Sequence, residues 1–176
     1  LYINGHPTIE LDLKALHPRM LYDLKNIKLT STFDPYEVKP NMTKDQRSAY
    51  KRLFLIMINA KDKKGAVNAF RDKVIEDDEL FKTIGDNKYK TRLQMVDELI
   101  AHNKQIEDDL FTAKCHELTN HDSNMAHKIL MHFAKQGILV LCVHDSFVIE
   151  EQYEDELREK MEEVYKAKFG KLPIIE

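Results

Sequence analysis

The stretch from Ile138 to Ile149 constrains this chain more than any other. Two apolar runs, Ile138 to Val143 and Phe147 to Ile149, flank His144-Asp145-Ser146. Strand-favouring residues broken once by polar turn formers read as a β-hairpin with Asp145 lifted to its tip. A second strand ends in the same way, because Thr8-Ile9-Glu10-Leu11 runs into Asp12. Each aspartate therefore closes a strand that the core must bury. A carboxylate taken out of water is costly unless an Arg, backbone N–H groups or a divalent cation compensates it. Read singly, either aspartate is also explained as a turn cap.

The remaining pattern supplies a small sheet and many helices. Asn4-Gly5, between Tyr2-Ile3 and the strand that ends near Asp12, is a strong hairpin signal. Leu16, Met20, Leu21 and Leu24 recur at helical spacing, with Pro18 acceptable only near the first turn. Residues 30–41 are rich in turn formers and read as a loop. Thr43 followed by Gln46 has the form of a capping box, and 44–60 then contains neither Pro nor Gly, so a helix is expected there. Its first half is cationic and its second half, Leu53 to Ile58, wholly apolar, so that end must be buried. Further helices are expected at 66–76, 90–109, 123–136 (stopped by Gly137) and 153–169 (stopped by Gly170). The sum is an α+β fold, a small antiparallel sheet packed against several helices with a helix-rich middle segment. No internal repeat is visible.

Composition narrows the class. The longest apolar run, Ile138 to Val143, is six residues, against the roughly 18 that a membrane helix needs, so no membrane partner is expected. Cys115 and Cys142, 27 residues apart, make neither a disulfide framework nor a four-thiolate zinc site. A reducing, cytoplasmic compartment is the natural expectation. The chain opens on Leu1 with no leader-like segment, which reads as a piece of a longer protein. The net charge of −3 hides one basic block, residues 35–75, with 10 basic against 4 acidic groups. Such a block either faces phosphates or forms a solvated helix face.

Within that block, Arg47 and Lys51 lie four apart and so share one helical face, a spacing that suits a triphosphate. Two strand-borne carboxylates able to hold Mg²⁺, together with an Arg and a Lys on a helix, are what phosphoryl and nucleotidyl transfer require.

These residues resemble the palm and part of the fingers of family A DNA polymerases and phage-type single-subunit RNA polymerases. Asp12-Leu13-Lys14-Ala15-Leu16-His17-Pro18-Arg19 resembles motif A, and its Leu-His-Pro ending is also similar to the family B version. Gln46-Arg47-Ser48-Ala49-Tyr50-Lys51-Arg52 is similar to motif B, and Val143-His144-Asp145-Ser146-Phe147 to motif C. Asp34-Pro35-Tyr36 falls where family A chains carry a short Asp-containing motif. All occur in the family's order, over about 1–60 and 123–170; residues 61–122 do not align.

The resemblance implies template-dependent nucleotidyl transfer by a two-metal mechanism, in a fragment of a larger phage, plasmid or mobile-element replication protein. It makes Asp12 and Asp145 the catalytic metal ligands for two Mg²⁺ (or Mn²⁺) ions when nucleotide is bound. Arg47 and Lys51 become triphosphate contacts, and His144 a group near the primer terminus. His17, five after Asp12, becomes a steric gate against the nucleotide sugar. Asn59 stands where family A helices carry a Tyr near the sugar or base, and Ala60 where a Gly follows. The implied partners are a primer-template, nucleoside triphosphates and the thumb or N-terminal domains of a parent chain. The implied organisation is palm at 1–34, a fingers-like helical segment at 35–122 and palm again at 123–176.

Other readings stand beside this one. His144 also fits a hydrogen-bonded turn histidine, Arg47 a surface cation, and His17 a residue packed beside Pro18. The His-Asp pairs at 121–122 and 144–145, with His102, His116, His127 and His132, also fit a metal-dependent HD-type phosphohydrolase. The departures at Asn59 and Ala60 fit a non-catalytic, palm-like scaffold.

Overall fold

Asn4 and Gly5 both take positive φ, 52° and 84°, and so form the two-residue turn joining β1 (Tyr2–Ile3) to β2 (His6–Asp12). Asn and Gly accept that conformation at little steric cost, which is why the pair sets this register. The computed structural model describes residues 1–176, and the chain divides into two units, Leu1–Ser31 with Glu117–Glu176, and Thr32–His116.

The first unit holds the whole sheet. Its four antiparallel strands lie in the order β1-β2-β4-β3, where β3 is Leu141–Val143 and β4 is Ser146–Glu150. Leu11 pairs with Phe147 and Ile9 with Ile149 across the two central strands. Leu11, Phe147 and Ile149 are almost wholly buried, and with the period-2 alternation of strands they define the core face. Glu10, Asp12 and Ser146 point the other way. Two of the helices stack on one another and on this sheet: α1 (Leu16–Leu24) packs on α7 (Glu154–Phe169), and α7 on β4. The long helix α6 (Cys115–Ala134) ends in a Schellman turn at Gly137, φ 75°, where Ile138 N–H reaches Phe133 C=O and Gly137 N–H reaches Ala134 C=O.

The second unit holds helices and no strand. It contains α2 (Lys44–Asn59), α3 (Lys63–Glu76), α4 (Asp78–Ile84), α5 (Tyr89–His102) and a 3₁₀ turn at Lys104–Asp109. The capping box at the start of α2 is complete: Thr43 Oγ1 accepts from Gln46 N–H at 3.1 Å, and Thr43 N–H donates to Gln46 Oε1 at 3.0 Å. Leu53, Phe54, Met57 and Ile58 on the apolar half of α2 are fully buried, as the sequence requires of it.

Several expectations need correction. The strand expected over 138–143 is paired only at Leu141–Val143, and it lies at the sheet edge with Leu141 and Val143 exposed. The helix expected at 123–136 starts at Cys115, and that expected at 90–109 stops at His102 and resumes as a 3₁₀ turn, with Asn103 folded back by bonds from its side chain to the carbonyls of Pro35 and Leu99. No helix is long and apolar enough to cross a membrane, and both cysteines are free thiols.

Candidate active site

Strand pairing brings the two aspartates together. Asp12 is the last residue of β2 and lies opposite Ser146, and the next N–H along, that of Leu13, donates to the carbonyl of Asp145 at 3.2 Å. Residues 133 positions apart in the chain are thus backbone neighbours at one end of the two central strands. The C-terminal segment fixes the other edge of this point. Asp12 and Glu176 exchange backbone hydrogen bonds at 2.9 and 3.0 Å, and Lys14 N–H reaches Ile174 C=O at 2.9 Å.

The turn that carries Asp145 is tight. Val143 pairs with Ser146, leaving His144-Asp145 as a two-residue loop in which His144 takes φ 57°. A left-handed conformation at a non-glycine residue is uncommon, though His tolerates it better than bulkier branched residues. Ser146, buried behind the turn, donates to Glu10 Oε1 at 2.6 Å, which ties the start of β4 to β2 on the polar face. A second strained residue follows Asp12: Ala15, φ 50°, is the N-cap of α1 and turns the chain so that His17 stands in the first helical turn.

A third carboxylate joins this pair. Asp122, on α6, has Oδ2 at 3.9 Å from His17 Nε2. Burial, together with the negative charge of Asp145, pushes the Asp122 carboxyl up to about 6, while His144 opposes that shift. Burial also lowers the His17 pKa, against the pull of Asp145. The Cys142 thiol is raised by burial and by the charges of Asp122 and Asp145. Asp122, Asp145, His17, His144 and Cys142 therefore share one electrostatic neighbourhood in which negative charge is in excess. In the sequence Asp122 stands beside His121 as a His-Asp pair, and its surroundings in the fold differ from those of His121. The signal was present: Leu118, Met125, Ile129 and Phe133 form the buried stripe of α6, and Asp122 occupies the remaining position at helical spacing.

Carboxylate oxygens are the donors that a hard divalent cation takes. No three His, Cys, Asp or Glu side chains converge as a ready-made cage. Mg²⁺ is commonly held by one or two carboxylates, with water and phosphate oxygens completing its shell, and Asp12 and Asp145 would be those carboxylates. His121 and Asp122 diverge, as neighbours on a helix do: the His121 ring meets Phe169 edge-on at 6.0 Å, whereas Asp122 faces His17. His132 is hydrogen-bonded to Glu156 at 2.9 Å, and His102 to the carbonyl of Asp34 at 2.8 Å.

No protein-family model matches this chain, and no curated protein does.

Arg47, Lys51 and Asn59 belong to the helical unit, all on α2. Arg47 Nε donates to Asp34 Oδ2 at 2.7 Å, and its guanidinium lies 5.2 Å from the centre of the Tyr36 ring. Asp34 also accepts from the Tyr36 N–H at 2.9 Å. The Asp34-Pro35-Tyr36 segment is thus the bracket that holds Arg47, a role its sequence alone did not specify. Lys51, one turn on, is exposed, as is Asn59 at the end of the helix. Tyr50, between Arg47 and Lys51, turns inward to donate to Glu98.

The raised Asp122 carboxyl carries a stability prediction. The folded protein binds that proton more tightly than the unfolded chain, so the wild type loses stability as pH rises from about 4 through about 6. In chelator-treated protein, Asp122→Asn is expected to be more stable than wild type by about 1–3 kcal/mol at pH 8. The difference should vanish near pH 3.5. Urea unfolding at the two pH values measures it, and an equal difference at both would refute the assignment.

Proposed function

We propose that this chain is the catalytic core of a template-dependent nucleotidyltransferase, joining a primer 3′-hydroxyl to the α-phosphate of an incoming nucleotide. The observation that carries the reading is the pairing of β2 with β4, which sets the backbone of Asp145 against Leu13, next to Asp12. That pairing supports the reading, since it sets the backbones of both motif aspartates at one end of one sheet. Bound to them, Mg²⁺ or Mn²⁺ would acidify the attacking hydroxyl and stabilise the leaving pyrophosphate.

The chain's own residues do the rest by position and charge. Asp12 sits at a strand end whose backbone is held on one side by β4 and on the other by the C-terminal segment. His144, exposed at the turn, is the side chain nearest in sequence to Asp145 that can meet a primer terminus. Within the helical unit, Arg47, already oriented by Asp34, and Lys51 offer positive charge of the kind that phosphate oxygens take up. Excess negative charge around Asp122 and Asp145 favours cation uptake before catalysis.

Lys51→Ala is expected to weaken nucleotide use by about 1.5–3 kcal/mol, the range for hydrogen bonds to charged groups. Steady-state incorporation against nucleotide concentration measures this, and an unchanged kcat/KM removes Lys51 from the site. The reading as a whole is tested by extension of a labelled primer, with deoxy- and ribonucleotides offered separately and Asp12→Ala as control. Lengthened product with one sugar class supports it. Absence of product, together with no rise in melting temperature on adding nucleotide and Mg²⁺, would favour a non-catalytic scaffold.

A further inference from the structure

A cavity of about 280 Å³ opens within the helical unit, among α2, α5, the end of α4 and the loop before α2. Glu98 stands four residues after Gln94 and three after Met95, so these three lining residues share one face of α5. Ala49 and Tyr50 line the cavity from α2, and Ala49, with only a methyl group, fills little of the space between the helices. Met42 and Ile84 complete an apolar wall. Pockets that hold small organic molecules start at roughly 300 Å³ and combine an apolar lining with a few fixed polar groups. Neither Arg47 nor Lys51 lines this one.

Glu98 is the anion of the wall. Its Oε2 accepts from the Tyr50 hydroxyl, and its Oε1 from Gln94 Nε2 at 3.0 Å and from the Lys39 ammonium at 2.7 Å. Burial alone would raise the Glu98 carboxyl, but bonds from Lys39, Tyr50 and Gln94 outweigh it and hold the carboxyl below its usual range. The two donors from the ends of this network differ in how firmly they are held. Tyr50 is 8% exposed on a helix, whereas the Lys39 side chain is 53% exposed on a loop. An ion pair to so exposed an amine contributes little, so a competing cation displaces it at small cost. Glu98 thus already seats one alkylammonium group, beside an apolar wall.

We propose that this cavity binds a small organic ammonium with an aromatic body, its cation on Glu98 in the place of the Lys39 ammonium and its body against Ala49, Met42 and Met95. Methionine thioethers make favourable contacts with aromatic rings and adapt to their shape. The charge on Glu98 selects a cation over an acid of the same shape. The inference stands apart from the nucleotidyltransferase reading, because it uses no residue of the polymerase-like site.

Methyl NMR of the methionines in the full chain tests this without any activity, because Met42 and Met95 line the cavity while Met20, Met125, Met131 and Met161 lie in the other unit. Titrated phenethylamine is expected to move the Met42 and Met95 signals saturably and to leave those four in place. Phenylacetate, of similar shape and opposite charge, should move neither. Glu98→Gln keeps an acceptor oxygen for Tyr50 and Gln94 but loses the charge, and should weaken phenethylamine binding roughly 10- to 150-fold. Lys39→Ala removes the competing ammonium and should tighten it about two- to fivefold. The signal of Met57, fully buried on α2, reports that each variant keeps its fold. Unmoved Met42 and Met95 signals with phenethylamine overturn the proposal. So does phenylacetate binding as tight as that of the amine, undiminished binding in a folded Glu98→Gln, or binding that Lys39→Ala leaves unchanged or weakens.

Discussion

Asp145→Asn is expected to lower nucleotide incorporation by about 10³-fold, the scale on which a group that stabilises developing charge is lost, while the protein remains folded. Asparagine keeps the shape of aspartate, and the two-residue turn between Val143 and Ser146 is set by backbone pairing rather than by the carboxylate. The charge at 145 also raises the Asp122 carboxyl, so its removal relieves repulsion and the melting temperature should hold or rise. Loss of activity with the fold kept distinguishes a cation ligand from a turn cap, because asparagine caps a turn as aspartate does but carries no charge. Single-turnover incorporation and thermal melting on the same preparation measure both. Incorporation within a few-fold of wild type would end the metal-ligand assignment.

Phe147→Ala should have the opposite profile. Phe147 is 1% exposed and lies opposite Leu11, 2% exposed, on the core face of the same strand pair that carries the aspartates. Truncating a buried aromatic removes its transfer free energy and leaves a cavity, together about 3–5 kcal/mol. For a chain of this length that lowers Tm by on the order of 10 °C. Val143→Ala, on the exposed edge strand, should change stability by less than about 0.5 kcal/mol. Denaturant unfolding of the two variants tests whether the core lies beneath β2 and β4. Equal effects would place it elsewhere.

What was legible in the sequence is what short-range chemistry decides. Asn4-Gly5 allows the positive φ values that a tight hairpin needs, Thr43 and Gln46 satisfy each other's backbone, and Gly170 stops α7 at φ 70°. Each of these is settled within a few residues. Helix α4, only seven residues long, is too short to show a clear apolar period, although the Asp77 side chain caps it by accepting from the N–H groups of Glu79 and Leu80.

The candidate site was legible in part, for the same reason. Asp12 and Asp145 could be marked as strand-end acids, but their adjacency depends on strand order, which no local pattern specifies. Asp122 shows the limit most clearly. Its neighbour His121 drew attention to a His-Asp pair, whereas the informative fact was an acid standing in an apolar helical stripe. What that acid faces is decided by how α6 packs in its unit. The ion pair of Arg47 with Asp34 is similar: thirteen residues separate them, and the loop that closes the gap carries no periodic signal.

The central claim is that Asp12 and Asp145 form one seat for divalent cations. Electron paramagnetic resonance of Mn²⁺, titrated into the protein with a non-hydrolysable nucleoside triphosphate, tests it most directly. The account predicts tight Mn²⁺ binding in wild type that is lost in Asp12→Asn and equally in Asp145→Asn, with no further loss in the double variant. Undiminished Mn²⁺ binding in either single variant, with the fold intact, would contradict it.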